Sequence, residues 1–275
     1  MIGFYFRESN ARSYACHDRL KKLLDKSKIE YRNILEPNPS DNYDDIDLLI
    51  VFGGDGSVLR ASKIANGEKP IIAINTGNVG FLTSYEEDNL EKLVDDIIAN
   101  NLTFVERNFM QIEYGDKTFY ALNDAVITKN YVKDPLSQCV YLSLYIDDEF
   151  VDKYVADGLI LSTPTGSTAY AISAGGPIMA PNVKAFVAAP ICAHSLHSRP
   201  IVYSTDCVAT VKVLSQSKEC ALFIDGVLEQ DIAPNTKIVF KKSDKRVRIC
   251  DNSGKFFTRL TEKLIKWTNN SFQEI

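Results

Sequence analysis

No apolar run in this chain approaches the roughly 20 residues needed to cross a bilayer, which argues against a membrane-spanning protein. The first residues, Met1-Ile2-Gly3-Phe4-Tyr5-Phe6-Arg7, have neither a basic n-region nor a long apolar h-region, so no secretion signal is read there. There is no excess of positive charge: 31 Lys and Arg stand against 36 Asp and Glu, for a net charge of −5. That leaves no global basic field for nucleic acid or an anionic membrane. The six cysteines, at 16, 139, 192, 207, 220 and 250, include no Cys-x-x-Cys pair and mostly sit in apolar or strand-like stretches. They read as reduced core thiols of a cytosolic protein. Two standard nucleotide motifs are also missing. The first strand runs into Arg7-Glu8-Ser9-Asn10-Ala11 rather than Gly-x-Gly-x-x-Gly, which counts against a hydride-transferring Rossmann enzyme. No Gly-x-x-x-x-Gly-Lys-Ser/Thr occurs, which excludes a P-loop kinase.

What is present is a globular composition, 45% hydrophobic and 24% charged over 275 residues, enough for one large domain or two ordinary ones. The first hundred residues alternate strand and helix signals. Residues 2–6, 47–52 (DLLIVF) and 70–74 (PIIAI) read as buried strands. Cys16, Leu20, Leu23 and Leu24 mark an amphipathic helix on which His17 falls on the polar, water-facing side. Ser57 is expected to open a helix through residue 65, and Leu90, Leu93, Val94, Ile97 and Ile98 mark another, capped by Asp88 or Asn89. This order predicts a Rossmann-like parallel sheet with helices on its faces, over residues 1–100. From about residue 103, short runs of Val, Ile, Tyr, Phe and Thr follow one another, with hairpin turns at Gly115-Asp116 and Asp147-Asp148. Residues 101–255 thus read as a β-sandwich, interrupted by a helix at 168–174. A final helix, at about 256–275, is expected to pack back on the first domain. With no linker between the domains, a ligand cleft there is the default expectation.

Ten of the fourteen glycines sit in five short segments beside polar or acidic residues: 53–56, 77–80, 158–166, 175–176 and 226. Glycine lets a ligand come close to main-chain N–H groups. Gly53-Gly54-Asp55-Gly56 follows a strand and precedes a helix, so its amides and the helix N-terminus make a natural anion site. The same four residues could equally be a tight turn with an Asp cap. Seven hydroxyl side chains fall within residues 162–173, in the run Ser162-Thr163-Pro164-Thr165-Gly166-Ser167-Thr168-Ala169-Tyr170 and on to Ser173. Hydroxyls both donate and accept, which suits ribose, amide and adenine edges; a polar loop running into a helix capped by Ser167 or Thr168 is the plainer alternative. Asn123-Asp124, in mid-strand, is out of place for β propensity and marks either a ribose-holding pair or a bulge. Cys192, His194 and His197 lie close in sequence but lack a fourth zinc ligand, which favours a structural loop.

Taken together these residues resemble the NAD kinase family. The matching stretches are FGGDGSVLRA, NTGNVGFL, ALND, DGLILSTPTGSTAYAISAGGPI, CAHSLHSRPIV and Asp225-Gly226, in the family's order, from about residue 50 to 226. GGDG alone is shared with phosphofructokinases and lipid kinases; the DGLILSTPTGSTAY block is far more specific. The resemblance implies a cytoplasmic enzyme that phosphorylates the 2′-hydroxyl of NAD's adenosine ribose, using ATP or sometimes polyphosphate with Mg²⁺. It also implies an N-terminal α/β domain, a C-terminal β domain and a homo-oligomer, commonly a tetramer. Carried over by position, Asp55 is the general base and Gly56 its ligand-contacting neighbour, with Gly53, Gly54 and Arg60 in the phosphate-donor loop. Asn123 and Asp124 hold the adenosine ribose, and Asp157 lies near the nicotinamide end. Thr168, Ala169, Tyr170 and Ser173 line the dinucleotide, with Phe81, Thr165 and Asp225 as further contacts. Val79 replaces the usual Leu, Asp124 stands where many members have Glu, Val155 where basic residues are frequent, and Val227 where Gln is frequent. A lipid or sphingoid-base kinase, a sugar-phosphate kinase and a non-catalytic dinucleotide-sensing module are the alternatives. The first needs an apolar pocket and the second a cluster of Arg or Lys, whereas the site segments here hold little beyond Arg60 and Arg199.

Overall fold

The structure is a computed structural model that describes residues 1–6, 10–34, 43–65, 67–77, 80–130, 133, 139–251 and 256–270; Val79 and residues 271–275 lie outside it. The chain divides into two compact units, Met1–Arg107 with Arg246–Ile275, and Asn108–Lys245.

The first unit alternates β1 (Ile2–Tyr5), α1 (Ala11–Lys26), β2 (Tyr31–Ile34), β3 (Leu48–Phe52), α2 (Asp55–Ala65), β4 (Ile71–Asn75), the two-residue β5 (Tyr85–Glu86) and α3 (Leu90–Ile98). The four longer strands pair in parallel in the order β2-β1-β3-β4. α1 is started by Asn10, whose side-chain oxygen accepts the N–H groups of Arg12 and Ser13 at 3.1 Å. Its buried face repeats at helical spacing through Ser13, Cys16, His17, Leu20 and Leu24.

That face corrects the reading of His17, which is buried (3% exposed) rather than turned to water. Its ring stacks on Phe6 at 4.3 Å and meets Phe4 and Phe52 edge-on, while Nε2 lies 3.0 Å from Asn33 Oδ1. Nδ1 lies 3.2 Å from Asp18 Oδ1, so both polar tips of the ring are met while its faces pack in this aromatic core. α2 begins at Asp55, two residues before the expected Ser57. A 3₁₀ turn at Glu87–Asn89 leads into α3, and no side chain caps either element.

The second unit is built of strands. β6 (Phe104–Tyr114) turns through Gly115-Asp116 into β7 (Lys117–Ala121), and β8 (Asp124–Lys129) follows. β9 (Val140–Ile146) turns through Asp147-Asp148 into β10 (Glu149–Ala156), then β11 (Gly158–Ser162), the one-turn helix α4 (Tyr170–Ser173), β12 (Ala185–Ile191) and β13 (Ile201–Ser204). β14 (Ala209–Val213), β15 (Cys220–Ile224), β16 (Val227–Ile232) and the long β17 (Thr236–Cys250) complete it. The helix expected over 168–174 is thus a 3₁₀ turn at Gly166–Thr168 followed by α4, with no side-chain cap.

One antiparallel sheet runs β13-β12-β11-β8-β15-β16 and the other contains β10-β9-β14-β17. Alternate residues of both meet in one core: Ile127, Leu159, Phe186 and Leu222 from the first, Leu142, Leu144, Tyr154, Val211 and Ile238 from the second. Asp147 and Asp148 (φ 49° and 65°), like Asp225 and Gly226 (49° and 77°), take the left-handed pair of angles that suits a tight two-residue hairpin. All six cysteines are free; Cys16, Cys220 and Cys250 are buried, but Cys192 is exposed, which corrects its reading as a core thiol. Among the described residues no helix is long and apolar enough to cross a membrane. After β17, the chain closes with α5 (Phe256–Asn270).

Candidate active site

Two clusters gather the residues singled out in the sequence, one in each unit. The first lies at the carboxyl end of β3, buried from Leu49 onward. Gly53 extends the pairing with β4 by donating to Ile74 O at 3.0 Å. Its φ of 155° and its closeness to Ser57, whose Oγ would stand 2.2 Å from an added Cβ, require glycine there. Gly54 and Gly56, by contrast, would point a Cβ into open space, so the loop leaves its outer side clear.

Asp55, the first residue of α2, is held by the segment after β4. Its Oδ2 accepts the Phe81 N–H at 3.0 Å and its Oδ1 accepts the Leu82 N–H at 2.9 Å. Gly80 must be small there, because an added Cβ would stand 2.4 Å from Asp55 Oδ1. A carboxylate has about four lone-pair positions, so two amides leave each oxygen able to accept again. Lys263, on α5, brings its Nζ to 3.6 Å from Oδ2, and Arg259 donates to Phe81 O at 2.9 Å. Phe81 is buried, and Arg60 sits partly buried on α2.

The second cluster is centred on the turn between β7 and β8. The Asp225 carboxylate accepts three successive main-chain N–H groups, those of Leu122 (2.9 Å), Asn123 (2.7 Å) and Asp124 (3.2 Å), and Asp225 N donates back to Asp124 O at 2.9 Å. Thr163 N donates to Asn123 O at 2.8 Å and Thr163 Oγ1 to Leu122 O. Gly166 packs so closely on this turn that a Cβ would stand 2.2 Å from Asn123 O. So the odd Asn-Asp pair is a turn entering β8, fixed from two sides.

Its side chains stay unspent. Asn123 Oδ1 is buried without a hydrogen-bond partner. Asp124 is 5% exposed, and burial, with the nearby Asp225 charge second, pushes its carboxyl up to about 7. At neutral pH that carboxyl is divided between a form that only accepts and one that also donates.

The hydroxyl run divides in two. Ser162, Thr163 and Ser167 are fully buried and serve the chain itself: Ser167 Oγ donates to Pro164 O at 2.7 Å and accepts from Met179 N at 3.0 Å. Thr168 Oγ1 reaches Thr165 O at 3.4 Å, and Ala169 N donates to Gly166 O. Tyr170 and Ser173 are exposed on α4 and Thr165 is half-buried. Asp157, at the junction of β10 and β11, pairs with the nearly buried Lys129, Nζ to Oδ1 at 2.7 Å. Sequence reasoning missed Lys129, Arg259 and Lys263. Phe256, Arg259 and Lys263 do share a helical stripe, but nothing local links it to Asp55. Among the described residues no three His, Cys, Asp or Glu side chains gather to hold a metal ion, so Cys192, His194 and His197 form no such site.

These clusters coincide with two family models. Residues 2–102 match the ATP-NAD kinase N-terminal domain and residues 123–251 the ATP-NAD kinase C-terminal domain. The NAD kinase of Fusobacterium nucleatum is 34% identical over 271 residues, covering 98% of each chain. That of Methanothermobacter thermautotrophicus is 36% identical over 223 residues, covering 81% of this chain and 77% of the relative. Among solved structures, yeast NADH kinase complexed with NADH superposes with a TM-score of 0.83 at 23% identity, covering 100% of this chain and 89% of its own. An Archaeoglobus fulgidus NAD kinase in complex with ATP does so at 0.79 and 24%, covering 96% and 98%. The solved structures speak for the fold. The identity to curated relatives along nearly the whole length, with both family models in their expected places, makes this chain an enzyme of the NAD kinase family.

Proposed function

We propose that the enzyme transfers the γ-phosphoryl group of ATP to the 2′-hydroxyl of the adenosine ribose of NAD, giving NADP and ADP, with Asp55 as general base. The observation that carries this reading is the Asp55 carboxylate, fixed by two main-chain N–H groups at a helix start and still able to accept a proton on either oxygen. A ribose hydroxyl is a weak nucleophile at neutral pH. As its oxygen attacks phosphorus, its proton passes to Asp55 and the bond to the ADP oxygen breaks. The amides of Gly53 and Gly54, with Arg60, take the donor phosphates, and the family's name and the ATP-bound Archaeoglobus relative support ATP as donor.

Asn123 and Asp124 offer their unspent acceptors to the ribose hydroxyls. Asp225 acts on them through the backbone. Asp157, Phe81, Thr165, Thr168, Ala169, Tyr170 and Ser173 line the rest of the dinucleotide. In this reading Mg²⁺ enters with the phosphates of ATP. Bound there, the cation would neutralise charge on the transferring group. Positioning supplies roughly 7–11 kcal/mol in well-oriented reactions, against about 10² to 10⁴ in rate from a general base, so Asp55 is the smaller contributor. The proposal places the enzyme in the cytoplasm as a homotetramer built through the β unit, whose edge strands β10, β13 and β16 expose unpaired backbone. A strictly monomeric species in light scattering at micromolar concentration would refute that assembly.

The test follows NADP formation from NAD, ATP and Mg²⁺ through an NADP-specific dehydrogenase. Asp55→Asn should lower turnover by about 10² to 10⁴ with NAD binding, measured by calorimetry, largely intact. Turnover near wild type would remove Asp55 from the mechanism.

A further inference from the structure

The C-terminal helix α5 presents one stripe, Phe256, Arg259 and Lys263, to the segment that holds Asp55. The spacing of three and then four residues puts these side chains on one face. Each of them meets Phe81. The Phe256 and Phe81 rings lie 5.9 Å apart, Arg259 Nη1 donates to Phe81 O at 2.9 Å, and Lys263 Nζ stands 4.1 Å from the centre of the Phe81 ring. Arg259 is itself anchored by an ion pair with Asp251. Phe81 in turn donates its N–H to Asp55 Oδ2, the same oxygen that Lys263 Nζ approaches at 3.6 Å. One carboxylate oxygen is therefore held by a main-chain amide and a cation, and both are set by the same helix.

We propose that Lys263 is a positioning residue for Asp55: its ammonium, seated on the Phe81 ring, fixes the carboxylate in the orientation from which it takes the ribose proton. This rests on the reading of Asp55 as general base. The pair is only partly open to solvent, with side chains 17% and 27% exposed, so water screens it less than a surface ion pair. The cation sits above the negative face of an aromatic ring, a stable seat for it. Since Lys263 acts through Asp55, its removal should lower the rate of transfer rather than the affinity for either substrate.

The test compares Lys263→Met, Lys263→Arg, Asp55→Asn and the double variant Asp55→Asn/Lys263→Met by steady-state NADP formation and thermal melting. Methionine keeps an unbranched stem over Phe81 and deletes the charge. The expected result is a fall in kcat of about tenfold for Lys263→Met, with KM for NAD and ATP within about twofold and an unchanged melting temperature. Lys263→Arg should recover most of the rate, and Lys263→Met should cost nothing further once Asp55 is Asn. An equal loss in both backgrounds, or a raised KM for ATP at unchanged kcat, would overturn the proposal by making Lys263 independent of the base. So would a loss matched by a drop in melting temperature that arginine does not restore. Near-normal turnover of Asp55→Asn alone would overturn the general-base reading and this proposal with it, whereas an impaired Asp55→Asn with additive losses would overturn this proposal only.

Discussion

Asp225 Oδ1 lies 2.7 Å from the main-chain nitrogen of Asn123, and through this and two neighbouring contacts one carboxylate organises three consecutive peptide groups. Hydrogen bonds to charged groups contribute about 1.5–3 kcal/mol each at best, and partial exposure of Asp225 reduces that. Asp225→Asn keeps the shape and tolerates the left-handed backbone but loses the charge and one acceptor. It should lower unfolding free energy by about 1–3 kcal/mol and weaken NAD binding. Urea unfolding indistinguishable from wild type would show that the turn holds without the carboxylate.

Asp124 should make stability depend on pH. Its carboxyl is raised to about 7 in the folded chain, from an ordinary aspartate value of 3.8. The native state therefore binds the proton more tightly than the unfolded state. Stability from this group is fully present below about pH 4 and is lost as pH rises to about 7 and beyond, by up to about 4 kcal/mol at 1.36 kcal/mol per unit. Asp124→Asn should melt higher than wild type at pH 8 and close to it at pH 4. Parallel melting curves across that range would refute the assignment.

Gly80→Ala should act on Asp55 without touching the substrate. The new methyl would stand 2.4 Å from Asp55 Oδ1, so the carboxylate must leave one of its two amides. Turnover should fall by at least tenfold while the cost in stability stays at about 1–3 kcal/mol. Unimpaired kcat would mean that the clamped orientation is not the working one.

The two glycines that open the GGDG turn should separate fold from function. Gly53→Ala meets Ser57 and a φ of 155°, and should destabilise the protein. Gly54→Ala meets nothing within 4 Å, so its melting temperature should match wild type while KM for ATP rises several-fold. An unchanged KM would place the donor phosphates elsewhere.

Much of this was visible in the chain before folding was considered. DLLIVF running into Gly53-Gly54-Asp55-Gly56 is a buried strand, turn and helix start, because hydrophobic runs and glycine act locally. The hairpins at Gly115-Asp116 and Asp147-Asp148 were legible for the same reason. His17 was misread although Ser13, Leu20 and Leu24 share its face: residue type outweighed spacing, and its aromatic partners come from other strands. The hydroxyl run left a ligand-facing segment and a capped polar loop both open, and the fold divides it: Ser162 and Thr163 reach Asn123 O and Leu122 O, and Ser167 Oγ accepts from Met179 N, partners that lie 12 to 41 residues away in sequence. Lys263 lies 208 residues beyond Asp55, and no local pattern encodes their meeting.

The first unit is discontinuous in the chain: Met1–Arg107 is completed by Arg246–Ile275, after the whole of the second has been made. At the ribosome, the β unit can therefore close while its forerunner still lacks the end of β17, which pairs at Ile249 with Ile71, and all of α5. The stripe of α5 that grips Phe81 is made after both turns. A nascent chain halted after Lys245 would carry its GGDG turn and its Asn-Asp turn but not the grip on Phe81, so full catalytic competence would wait for α5. Chains arrested at successive lengths should gain full NADP-forming activity only once α5 has emerged, which arrested-translation assays would read directly.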